Sequence, residues 1–258
     1  MELTAAPTLR AERWVILTVL LTLAGAGWVL VAWQASDMNG TGEELDLTMG
    51  MAAPLFIAMW MAMMVAMMFP ASAPMILAFA RTQTRKRADG GEYVPTWLFV
   101  APYVAVWTAF GALGYLIAAA VAAVAGDSMW AMDNLPRIAG FLLVAAGVYQ
   151  LTPMKRVCLA RCRTPLSFML KYWRDGRGGA MSMGLRHGLF CLGCCWVLFL
   201  VLLPLGVMNV AAMVAVAALV FAEKVLPRGE GVARVAAVAL IAYGLFAVVV
   251  PRALPTLM

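Results

Sequence analysis

The chain has 258 residues, 64% of them apolar and 12% charged, with a net charge of +6 and a mean hydropathy of +0.89. A water-soluble domain carries about a quarter charged residues, and one of this length could not bury so much apolar side chain. The basic excess does not call for nucleic acid as a partner, because it falls between apolar runs, where the positive-inside rule of membrane proteins accounts for it.

The apolar runs are long, as membrane helices require, and not the short alternating segments of a barrel. The first, Trp14–Trp33, is long enough to span and lacks a small-residue cleavage site, so it reads as a helix and not as a cleaved signal. Further spans are expected at Met51–Ala80, Trp97–Ala125, Leu135–Met154, Met181–Leu203, Val207–Leu226 and Val232–Val250. The fourth is marginal, since its apolar core is only Ile138–Leu151.

Charge supports all seven. Arg10 and Arg13 precede the first span, and Asp37, Glu43, Glu44 and Asp46 follow it. Arg81, Arg85, Lys86 and Arg87 follow the second, and Asp127, Asp133 and Arg137 lie around the next connection. Lys155, Arg156, Arg161, Arg163, Lys171, Arg174 and Arg177 fill the long loop after the fourth span. The Pro204–Gly206 link is uncharged, Lys224, Arg228 and Arg234 come next, and Arg252 is at the end. Basic and non-basic connections therefore alternate without a break. The expectation is an all-α polytopic bundle of about seven transmembrane helices, one domain over residues 1–258, N-terminus in and C-terminus out. An inner cell membrane is the expected location and the lipid bilayer its first partner. In the long loop, Leu166–Trp173 is expected to lie on the membrane surface, with Gly176, Gly178 and Gly179 as a turn.

The second span reads MWMAMMVAMMFPASAPM. Met59, Met61, Met63, Met64, Met67 and Met68 fill six of ten positions. At about 100° per residue, Met59, Met63 and Met67 form one stripe, and Met61, Met64, Met68 and Met75 another. Thioethers are soft donors that suit Cu(I) and poorly suit Mg²⁺ or Ca²⁺. The competing reading is packing, because methionine is flexible and fills gaps between helices. Pro70 and Pro74 follow, and are expected to break the hydrogen-bond ladder and bend the helix.

The fifth span carries RHGLFCLGCCW. His187, Cys191 and Cys194 lie at about 0°, 40° and −20° around the helix, with Cys195 at about 80° on the edge of that face. One imidazole with two or three thiols makes a soft-metal site for copper, with zinc as the other ion it could take. His187 is the only histidine in the chain. An ionisable group inside a span is a functional hypothesis by default. Small cysteines that let helices approach are the competing reading.

Cys158 and Cys162, four apart among basic residues, are candidates for reactive or metal-binding thiols. Glu223 is a candidate to orient His187, to ligate, or to pair with Arg186 or Lys224. The acidic loop after the first span could gather cations. Five cysteines on the inner side or near the centre do not suggest a disulfide framework. No phosphate loop, dinucleotide motif or zinc-protease motif occurs, so the chain is not expected to be an enzyme.

These segments, with WTAFG, GVYQLTPMKRVCLARCRTPLSFML, MGLRHGLFCLGCCWVLFLVLLPLGVMN and ALVFAEKVLP, resemble a family of integral membrane proteins with a predicted metal-binding role, domain of unknown function 2182. The resemblance extends from about Met59 to Pro227. One branch of that family is described as a copper chaperone serving a bacterial tyrosinase. The resemblance implies copper handling, with a copper-dependent oxidase or a periplasmic or cytosolic metallochaperone as partner. It places the family's Met run on Met59 to Met68, its CxxxC on Cys158 and Cys162, and its HGxxCxGCCW on His187, Cys191, Cys194, Cys195 and Trp196. A thiol-redox membrane protein and a structural or assembly subunit are the alternatives. The first would work through Cys194 and Cys195 or Cys158 and Cys162, and the second would use its Met and Cys only to pack.

Overall fold

The structure is a computed structural model that describes residues 5–38, 51–125, 128–205 and 209–250. Every regular element among the described residues is helical. The loop acids Glu43, Glu44 and Asp46, and Asp127, lie outside them.

Helix α1 (Ala5–Met38) packs along α2 (Ala53–Ala88), where Gly27 meets the Ala62 carbonyl so closely that a Cβ would come within 2.8 Å of it. Helix α3 (Trp97–Ala125) lies between α2 and α7 (Gly176–Leu200). The α3–α7 contact uses a small-xxx-small pair, Gly184 and Gly188, which lets two backbones approach as in membrane helix pairs. A Cβ on Gly184 would run into the Phe99 carbonyl, and one on Gly188 would reach the Val106 and Tyr103 positions. Helix α4 (Met129–Leu151) pairs with α10 (Gly229–Val249) in the same manner, through Gly140 against Gly244 and Gly147 against Ala237. Helix α9 (Val210–Val225) joins α10 to α2, and the short α8 (Leu202–Leu205) links α7 to it.

Helices α1, α2, α3, α7 and α10 are each long and apolar enough to cross a membrane. Their outer faces are apolar as well, with Leu21, Val29, Leu116, Leu189 and Val235 exposed around the bundle. Two expected spans have a different form. The fourth does not run to Met154. Pro153 lacks the amide a helix needs there and forces Thr152 out of helical geometry (φ −67°, ψ 148°), so α4 stops at Leu151. Helix α5 (Pro153–Arg163) restarts at an angle of 63°, capped by the Thr152 hydroxyl, which accepts from the Lys155 amide. The sixth span is the 16-residue α9, about 24 Å at 1.5 Å per residue and so shorter than the ~30 Å hydrocarbon layer.

Pro70 and Pro74 lie inside α2, which continues through both to Ala88. One further expectation is corrected. Gly178 and Gly179 do not form a turn, because α7 begins at Gly176, which takes the left-handed φ of +75° that glycine allows. Gly179 lies so close to the Arg174 carbonyl that a Cβ would collide with it. Helix α6 (Pro165–Tyr172) fills the expected surface stretch. It buries Phe168 and Met169 and leaves Leu166 (72%) and Leu170 (78%) exposed, the two-faced pattern of an interfacial helix.

Contacts at the helix ends bring the basic segments together. Glu12 of α1 accepts from Thr84 of α2, and Lys86 of α2 pairs with Asp175 at the start of α7. Arg163 of α5 donates to the carbonyls of Leu226 and Pro227, beyond α9.

Candidate metal centre

Cysteine is small and apolar enough to be packed fully in a helix interface. Cys191, Cys194 and Cys195 project from α7 into the core and are buried, joined by Cys162 from α5. The Cys194 and Cys195 sulfurs are 3.2 Å apart, and those of Cys194 and Cys162 are 3.9 Å apart. The Cys194 thiol also reaches the Cys191 carbonyl at 3.2 Å. Four sulfurs from two helices thus share one pocket of the core, and all the cysteines are free thiols. Cys158 stands at its margin, half-buried. Its sulfur occupies the space that Gly193 leaves open, since a Cβ there would come within 2.8 Å of it.

Helix α2 presents the second sulfur group. Met59, Met63, Met64, Met67, Met68 and Met75 are buried, and Met61 is half-buried. Both expected stripes therefore face protein. Met61 and Met64 lie against Tyr103 and Trp107 of α3, and Met68 is sealed at the centre.

The two groups meet at a residue that charge counting had placed in a connection. Lys224 is in the last turn of α9 and its side chain turns inward, where it is buried. Its ammonium donates to the Cys191 sulfur at 3.0 Å and lies 4.0 Å from the Met68 sulfur. No carboxylate pairs with it among the described residues. A buried cation needs a partner, and the partner here is a sulfur. From α3, the Tyr103 hydroxyl lies 3.2 Å from the Cys191 sulfur and 2.8 Å from the hydroxyl of Ser72, which sits between the two prolines of α2. Cys191 is thus contacted from α3 and α9, and α2 reaches it through Lys224 and Tyr103.

His187 shares a face with Cys191 and Cys194 but has other neighbours. It is enclosed by rings: Tyr103 and Phe99 stacked at 5.2 and 5.8 Å, and Phe168 edge-on at 5.8 Å. Both of its ring nitrogens are buried without a hydrogen-bond partner among the described residues. No three His, Cys, Asp or Glu side chains among the described residues are grouped as a metal-binding set. The four thiols lie together without that arrangement, beside a thioether, a phenol and an ammonium.

Glu223 is neither beside His187 nor paired with Arg186 or Lys224. Its carboxylate is fully buried and accepts from the Lys155 ammonium at 2.7 Å and from Gln150 at 3.1 Å. Arg186 lies over the Tyr172 ring at 5.2 Å. Lys155, like Lys224, belongs to the core and not to a loop.

Sequence reasoning missed Lys224, Lys155, Tyr103 and Gln150. The one available signal was the adjacent Glu223–Lys224 pair within an otherwise apolar run. Neighbours on a helix point about 100° apart, and here Glu223 turns toward α4 and α5 while Lys224 turns toward α2 and α7.

A family model described as PpoB2, copper chaperone, matches residues 57–247, from the first turns of α2 almost to the end of α10. No curated protein and no solved structure matches the chain.

Proposed function

The chain belongs to the copper chaperone family PpoB2, and from that premise we propose that it holds Cu(I) inside a membrane and passes it on, without itself catalysing a reaction. The observation that carries this reading is the meeting of two sulfur groups. The buried methionines of α2 and the thiols of Cys162, Cys191, Cys194 and Cys195 approach each other at Lys224. Copper is the cargo, and the donor set fits it: thioethers and thiolates are soft ligands that favour Cu(I). Zinc fits the thiols alone and has no use for the thioethers of α2.

In this proposal the methionines bind weakly and neutrally along α2, and the cysteines bind more tightly at its inner half. Two thiols 3.9 Å apart suit a shared ion, since metal–sulfur bonds of about 2.3 Å place two ligand sulfurs roughly 4 Å apart. His187, with two unpartnered nitrogens one turn from Cys191, is available as a further soft donor. In this proposal the chain crosses the inner membrane of a bacterium seven times, with α9 as the short sixth crossing and the basic ends inside; the five long apolar helices support its embedding in a membrane. The recipient is a copper-dependent oxidase or a soluble metallochaperone.

The test is copper K-edge X-ray absorption on protein loaded anaerobically with Cu(I). A shell of two or three sulfur neighbours is expected, and it should shrink in a Cys162→Ser, Cys194→Ser variant. A first shell of nitrogen and oxygen alone, unchanged in the variant, contradicts the proposal.

A further inference from the structure

A second feature of the molecule concerns the bilayer and is independent of copper. A cleft of about 730 Å³ opens between α1, α2, α6 and α9, near the ends where the basic segments collect. Its wall is apolar, built from Pro70, Ala73, Pro74 and Leu77 of α2, Pro165 of α6 and Phe221 of α9. Its rim carries three exposed arginines: Arg13 from α1, and Arg81 and Arg85 one turn apart on α2.

The arginines lack the partners their neighbours have. On the other side of α2, Lys86 pairs with Asp175 and Arg87 lies over the Tyr93 ring at 5.3 Å. Among the described residues, Arg81 and Arg85 have no hydrogen bond or ion pair, and Arg13 has only the Trp14 ring at 6.0 Å. Glu12, the nearest carboxylate in sequence, accepts from Thr84. Trp14 is itself exposed, and an exposed tryptophan at a span end marks the headgroup level of a bilayer.

We propose that this cleft holds one anionic phospholipid, its phosphate between Arg13, Arg81 and Arg85 and an acyl chain along the Pro70–Leu77 face. Guanidinium groups bind phosphate oxygens in a bidentate manner, and basic pockets between membrane helices suit anionic headgroups. Pro70 and Pro74 add apolar ring surface to this wall. The lipid lies across α1, α2, α6 and α9 together and would tie the interfacial helix α6 to α2.

The experiment is native mass spectrometry of the full chain, purified in detergent and exposed to equal amounts of phosphatidylglycerol and phosphatidylcholine. The wild type should retain one phosphatidylglycerol in preference to phosphatidylcholine. Arg81→Gln with Arg85→Gln should lower that retention about tenfold or more, at roughly a factor of five per basic residue near a headgroup. Ala73→Phe, which fills the cleft and keeps the arginines, should lower it as well, while Arg174→Gln should not. Equal retention of the two lipids by the wild type overturns the proposal. So does a preference that survives both the arginine and the Ala73→Phe variants. Loss of bound lipid to inorganic phosphate would show a free-phosphate site and overturn it too. Copper loading is unaffected in either case, so this result stands apart from the copper reading.

Discussion

At the scale of single residues, the interior holds a buried ion pair and a lysine partnered by sulfur. The Lys155–Glu223 pair is 1% and 0% exposed, so losing one partner leaves a bare charge in a low-dielectric core. Lys155→Met alone should destabilise the protein by about 3–5 kcal/mol, and adding Glu223→Leu should recover most of that. Thermal unfolding in detergent checks it, and additive losses in the double variant would contradict it. Tyr103→Phe removes contacts to Ser72 and Cys191 and should cost about 1–2 kcal/mol in the same assay. These residues also show where reading the sequence stops. The soft ligands were legible because Met and Cys at high density in apolar helices are chemically unusual. Lys155 and Lys224 were not, because a lysine near a helix end counts toward sidedness whether its side chain turns out or in. Only the bend at Pro153 and the inward rotation of α9 decide that, and both depend on packing.

At the scale of elements, α7 is fixed from both sides. Its small face admits α3: Gly184→Leu should collide with the Phe99 backbone and cost at least about 1–3 kcal/mol, read as a lower Tm or as loss of monodisperse protein. Its first residue is tied to α2 by Lys86 and Asp175. Lys86, and then Trp173, hold the Asp175 carboxyl below the usual aspartate range. A depressed carboxyl adds stability above the unfolded-state pKa and loses it as pH falls through the folded value. Asp175→Asn should therefore lower Tm slightly near neutral pH, and the difference should fade as pH falls below the unfolded-state value of about 3.9. Helix existence was legible almost throughout, since apolar length and charge alternation both mark it. The form of two spans was not. The proline at 153 converts one expected helix into α4 and α5, and α9 ends at Val225 because Leu226, before Pro227, is extended. Conversely, Pro70 and Pro74 are accommodated within α2.

At the scale of the whole molecule, the bundle brings α2, α5, α7 and α9 together so that sulfur from α2 and α7 meets one lysine of α9, with Cys162 of α5 beside Cys194. The spacing of motifs along the chain could show which residues share a helix face, and it did so for Cys191 and Cys194. It could not show that Cys162 from a different helix completes the pocket, or that His187 sits apart among aromatic rings. If the methionines of α2 only pack, replacing Met63, Met67 and Met68 by leucine should leave copper content unchanged. If they carry copper, stability should change by less than about 1.5 kcal/mol per site while copper content falls. The most direct test is the metal content of detergent-purified protein after anaerobic Cu(I) loading, beside a His187→Ala, Cys191→Ser, Cys194→Ser variant. About one or more copper ions per wild-type chain are expected, lost in the variant. No copper in either protein, with thiols intact, would contradict it and leave a bundle whose methionines and cysteines serve only to pack.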